Sequence, residues 1–122
     1  MMSQSINLAI LGELGFKGWA ELDTMLDNLA RSFVGKTERS QMHTILEPIS
    51  TATVGDFDFS IIKVINYIKR QRSRSPPRFC GKTDELLVIL EKIRNSRQPI
   101  EEKIEFTRRL IGLLVWKYDY MG

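Results

Sequence analysis

Apolar side chains recur along this chain at steps of three and four, a spacing that one face of an α-helix satisfies and a β-strand does not. From Trp19 the stripe runs Trp19, Leu22, Leu26, Leu29 and Phe33, which lays one helical face on a core. Gly35 follows as a C-terminal cap, because glycine enters the left-handed conformation without a side-chain clash. Thr37 reads as the N-cap of a short helix running to Leu46 and stopped by Pro48. Upstream, Ser5 to Leu14 reads as a further short helix, weakened at its end by Gly12, Gly15 and Gly18. No run that alternates polar with β-branched residues proposes a sheet.

The second half follows the same rule. On a wheel of about 100° per residue, Val64, Ile65 and Ile68 gather within ~60° of Ile61, while Lys63, Asn66 and Arg70 gather near the opposite pole. Helical order is expected to fail at Ser73-Arg74-Ser75-Pro76-Pro77, since two prolines remove donors and push Ser75 out of the helical region. After Gly81 and Thr83 a helix restarts with Leu86, Leu87, Leu90 and Ile93. The last helix opens at Pro99, with Glu101, Glu102 and Glu105 near the positive end of its dipole. From Leu110 to Trp116 it is apolar on nearly every side, so the spacing predicts a central helix with Trp116 buried. The fold expected is all-α: one domain over residues 1–122, a compact bundle of about five helices with one basic Ser/Pro/Arg loop.

A chain of 122 residues holds one modest core. Its single cysteine, Cys80, cannot form an internal disulfide and offers no metal-ligand spacing, which fits a reducing, cytoplasmic setting. The start, Met1-Met2-Ser3-Gln4-Ser5, lacks the positive charge of a signal peptide. The longest apolar run, Leu110 to Trp116 with Gly112 counted, falls far short of the ~20 residues that span a bilayer, so no membrane is expected. The net charge of +3 hides an asymmetry. Residues 1–60 carry four Lys/Arg against eight Asp/Glu, and residues 61–122 carry fourteen against seven. Balances of −4 and +7 suggest an acidic face and a basic face with different partners.

Two Gly-Lys-Thr triplets, Gly35-Lys36-Thr37 and Gly81-Lys82-Thr83, invite a nucleotide-binding reading. A P-loop needs a glycine five residues before the second one, so that bare backbone wraps the phosphates, and Ala30 and Pro76 stand there. Both triplets are explained by a glycine closing one element and a threonine capping the next. The shared pattern Phe-x-Gly-Lys-Thr-acid, Phe33 to Glu38 and Phe79 to Asp84, is not continued by the flanking residues. His43 is the only histidine and has no cysteine or histidine partner for a metal. Arg39 and His43 are one residue closer than the shortest Arg/His spacing of helical ribonucleases of the HEPN type. Asp56 and Asp58 stand at a helix start, where capping and the dipole account for them. With no mutually supporting set of roles, neither an enzyme nor a bound cofactor is expected.

The basic stretch is the strongest local signal. From Lys69 to Lys82 the cations are Lys69, Arg70, Arg72, Arg74, Arg78 and Lys82, with no acid among them. Arginine presents a planar fork that grips phosphate oxygens in pairs, and a flexible Ser/Pro segment lets such forks track an irregular backbone. With Lys63 these residues form the expected nucleic-acid-binding stripe, directed at phosphates of single-stranded DNA or RNA. Phe79 either stacks on a base or anchors the loop to the core. Arg108 and Arg109 on the last helix are the next basic pair. The competing readings are a solvated loop and a phosphorylation target through Arg-Ser-Arg-Ser-Pro.

The terminal residues Leu114-Val115-Trp116-Lys117-Tyr118-Asp119-Tyr120-Met121-Gly122 resemble the aliphatic-then-aromatic, Tyr/Gly-ended terminus of some small helical subunits of CRISPR effector complexes, of the Cascade, Csm and Cmr types. The rest of the chain is similar to them in length, helicity and charge. The resemblance implies a non-catalytic subunit of an antiviral ribonucleoprotein, present in several copies beside other protein subunits. It would hold a guide–target duplex or a displaced strand through backbone contacts. These families offer no motif onto which the basic residues align one by one. The alternative is a helical protein–protein adaptor whose basic loop meets an acidic partner surface.

Overall fold

The computed structural model describes residues 2–122, with side chains from Leu8 onward. Among these residues it is all helix and loop, as the spacing predicts. The helices are α1 (Met2–Leu14), α2 (Trp19–Phe33), α3 (Arg39–Thr44), α4 (Leu46–Ser50), α5 (Phe57–Arg72), α6 (Thr83–Arg94) and α7 (Ile100–Met121). Seven helices stand where about five were expected, because the 37–52 segment divides into two short ones and α1 is complete.

The α2 stripe works as read: Leu22, Leu26, Leu29, Ala30 and Phe33 are buried. Gly35 follows with φ +78°, and the amides of Lys36 and Thr37 both donate to the Phe33 carbonyl, at 3.1 and 2.8 Å. Thr37 and Pro48 depart from expectation. Glu38, not Thr37, occupies the N-cap of α3, with no side-chain cap bond. Pro48 does not stop a helix. It lies in the first turn of α4, where its missing N–H deprives no carbonyl of a partner.

The core is organised about α7, which packs on α2 most extensively, then on α4, α1, α6 and α3. Its residues Ile104, Phe106, Leu110, Ile111, Leu114, Val115 and Tyr118 are all buried. Three cations of α7 fasten it to its neighbours. Lys103 Nζ donates to the carbonyls of Arg94 and Ser96, at 2.7 and 3.2 Å. Arg108 donates to those of Ile49 and Ala52, at 3.2 and 2.6 Å. The first pair ends α6 and the second ends α4, so each cation meets the negative end of a helix dipole. Lys117 Nζ lies 2.6 Å from Asp27 Oδ1 and 2.9 Å from Asp23 Oδ1 on α2.

Trp116 is not in the core. It is 61% exposed, roughly 160° around the helix from Leu114 at about 100° per residue. The helix is covered by its neighbours on most sides but not all, and Trp116 falls in the gap. Tyr118 takes the buried aromatic position instead, its hydroxyl donating to the Thr37 carbonyl. Trp116→Ala is therefore expected to change unfolding free energy by under about 1 kcal/mol. Phe106→Ala is expected to cost ~3–5 kcal/mol. Chemical denaturation measures both, and equal losses would contradict this packing.

The hydrogen bond to Asp27 raises the Lys117 pKa above a lysine's ordinary 10.5, desolvation opposes it, and Asp23 adds to the rise. With the folded value above the unfolded one, this contribution is complete below about pH 10.5 and is lost as pH rises through the folded value. The parent should therefore lose melting temperature above that pH more steeply than Lys117→Met, which has no charge to lose there. Parallel pH profiles for the two would show that the ion pairs do not hold α7 to α2.

Candidate nucleic-acid interface

Helix α5 ends in Lys69, Arg70 and Arg72, cations placed where a helix C-terminus favours them. The chain then leaves the helix at Ser73 and reaches α6 at Thr83. Its far end, from Arg78 to Lys82, is tied down by hydrogen bonds. The Arg78 amide returns to the Gln71 carbonyl at 2.9 Å. Thr37 Oγ1 accepts from the Cys80 amide at 2.8 Å and donates to the Cys80 carbonyl at 2.7 Å. Lys82 N–H donates to Ser32 Oγ at 3.0 Å. Phe79 is fully buried and meets Phe33 edge-on with centroids 5.3 Å apart, so it anchors the loop and is not free to stack on a base. Gly81, at φ +129°, is pressed so close that an added Cβ would lie 2.6 Å from the Ser32 carbonyl oxygen and from Phe33. Any side chain there would force the loop off α2.

The seven predicted cations fare differently. Arg72 is committed, donating to Asp84 and, at 3.3 Å, to Thr83 Oγ1, which ties the end of α5 to the start of α6. Lys69, Arg70, Arg74, Arg78 and Lys82 are exposed. Among the described residues no carboxylate lies within ion-pair distance of any of them. Arg74 makes one long contact of 3.5 Å with Gln71 Oε1. Lys63, two turns before Arg70, sits over the exposed Phe59 ring at 5.4 Å. It lines a different groove, with Glu47, Pro48 and Tyr67, so it extends the row on α5 without joining the loop.

The second basic pair is occupied. Arg108 caps α4, and the Arg109 guanidinium lies over the Trp19 ring at 4.9 Å. His43 Nε2 is 2.9 Å from Asp119 Oδ2, and Arg39 Nε is 3.5 Å from Asp119 Oδ1, an exposed ion cluster joining α3 to the end of α7. Sequence reasoning missed one feature. Trp116 and Tyr120, 61% and 81% exposed, stack on each other with centroids 5.6 Å apart and planes 19° apart. Their spacing of four was the available signal, obscured because the whole segment is apolar.

Thr37 is the pivot of the site. It is 2% exposed and bonds Cys80 twice through its hydroxyl. Thr37→Val keeps the shape but strands the Cys80 amide and carbonyl, so it should cost ~1–3 kcal/mol. Amide exchange at residues 78–82 should accelerate. Unchanged exchange there would show that the hydroxyl does not hold the loop. No protein-family model matches this chain, and neither a curated protein nor a solved structure shows significant similarity to it.

Proposed function

We propose that this chain is a non-catalytic, cytoplasmic subunit that binds the phosphate backbone of a nucleic acid within a multi-subunit ribonucleoprotein. The observation that carries the reading is the row of exposed cations without carboxylate partners, Lys69, Arg70, Arg74, Arg78 and Lys82, on a helix end and a loop tied down at its far end. Unpaired cations gathered on one segment are the electrostatic footprint of phosphate binding. An anchored loop pays less ordering entropy on binding than a free one. With Phe79 buried, the loop's side chains are chiefly charge, which suits backbone contact with little reading of base sequence.

The terminal resemblance extends the reading to CRISPR interference, with the chain holding a guide–target duplex or a displaced single strand. The adaptor reading keeps one observation in its favour. The exposed Trp116–Tyr120 pair is of the residue types enriched at protein interfaces, and a ribonucleoprotein subunit needs such a surface as well.

With Arg72 committed to Asp84, about five phosphate contacts remain, and log K against log salt should fall with a slope of roughly −3.5 on a single strand, taking ~0.7 per contact. Replacing Arg70, Arg74 and Arg78 together with Ala should flatten that slope by ~2 and weaken binding alike on every sequence, while the melting temperature barely moves. Titration of labelled single-stranded RNA and DNA across salt concentrations measures both. A flat response in the parent, or no binding at low salt, would overturn the reading in favour of the adaptor.

A further inference from the structure

The two Phe-x-Gly-Lys-Thr segments, far apart in sequence, lie against one another in the fold. Phe33 and Phe79 meet edge to face. The hydroxyl of Thr37, which follows Lys36, bonds both backbone groups of Cys80. Ser32 Oγ accepts from the backbone of Lys82 itself. The segments also share an in-and-out pattern. Each has a buried phenylalanine, a glycine with positive φ, an exposed lysine and a threonine under 5% exposed. Those glycines let the chain turn without strain so that lysine faces water while its neighbours go inward.

The packing brings Lys36, on the junction between α2 and α3, to the edge of the basic loop. Among the described residues neither Lys36 nor Lys82 has a carboxylate within ion-pair distance. The acids next in chain are Glu38 after the first segment and Asp84 and Glu85 after the second, and Asp84 is held by Arg72. Asp119, which lines the groove beside Gly35, is held by Arg39, so Glu38 and Glu85 are the acids near these segments without an ion-pair partner among the described residues, against Lys36, Arg78 and Lys82.

We propose that Lys36 and Lys82, with Arg78 beside them, form one phosphate-binding site that takes phosphodiester groups of a nucleic-acid backbone. The inference rests on the nucleic-acid reading above and extends that interface beyond residues 63–82 onto a second part of the chain. It is not a P-loop: the wrapping glycine is absent, and the ligand is held by side-chain charge, not by backbone amides.

The test is a salt titration of labelled oligouridylate and oligothymidylate against the parent, Lys36→Ala, Lys36→Arg and Lys82→Ala, with the Arg70/Arg74/Arg78 triple variant as reference. With Lys36 as a sixth contact the parent slope becomes roughly −4, and Lys36→Ala and Lys82→Ala should each flatten it by ~0.7 and weaken binding about 5- to 10-fold at 50 mM salt. Lys36→Arg should bind like the parent. Melting temperatures should stay unchanged, since both side chains are exposed. A parent-like slope for Lys36→Ala, beside a clear loss in the triple variant, overturns this site and leaves the loop interface standing. Failure of the parent to bind at low salt overturns both. Competition by ATP at concentrations where an oligonucleotide of equal phosphate content does not compete would replace the phosphodiester with a free nucleotide and so overturn the ligand proposed.

Discussion

A helix that buries Ile104, Phe106, Leu110, Ile111, Leu114, Val115 and Tyr118 must be covered along most of its length, since each such side chain left in water forfeits about 1.5–3 kcal/mol. The arrangement of α1, α2, α4 and α6 around α7 meets that constraint. The polar groups of α7 follow from the same requirement. Lys103 and Arg108 put their charge on the carbonyl ends of α6 and α4, and Lys117 sits between two carboxylates of α2. Cations on a central helix are tolerated because each reaches a partner. They also orient the helices they touch.

Thr37 joins the covering of α7 to the basic surface. Thr37 accepts the Tyr118 hydroxyl on its carbonyl and bonds Cys80 twice through its side chain. The end of α7, the end of α2 and the far end of the basic loop therefore meet at a single buried threonine. Phe33, Phe79 and Gly81 close the same contact from the apolar side. Arg78 and Lys82 thus stand on a stretch whose backbone is bound into the core, and Lys69 and Arg70 on the end of α5, so their spacing is a property of the fold.

Charge segregates at the surface accordingly. The cations that face neighbouring elements are engaged: Arg72 with Asp84, Arg94 with Asp58, Arg39 with Asp119. Lys69 and Arg70 in the last turn of α5, and Arg74, Arg78 and Lys82 along the loop, are left to solvent. Exposed ion pairs of this kind contribute little to stability, so the pattern matters more for what the surface attracts than for how firmly the chain folds. The stacked Trp116 and Tyr120 give α7 a second, chemically different surface, aromatic and flanked by Asp119.

Periodicity along the chain was enough to read an all-helical fold, the faces of α2 and α5, the break at Ser73 to Pro77, and the exposed cations that follow it. Those features depend on neighbours in sequence, through the helical repeat, proline's missing donor and the mutual repulsion of like charges. What local spacing does not contain is which faces meet. A run apolar on nearly every side looks buried all round, so local spacing places Trp116 in the core, whereas the neighbouring helices leave its side uncovered. Thr37 looked like a cap because capping is the local use of a threonine, yet its partner lies forty-three positions away. Arg72 and Arg108 read as free cations because Asp84 and the end of α4 become their neighbours only on folding. The nearness of the two Gly-Lys-Thr segments is of the same kind. It arises from a long-range contact between Phe33 and Phe79, whose energy comes from shared burial, and burial is a property of the assembled core.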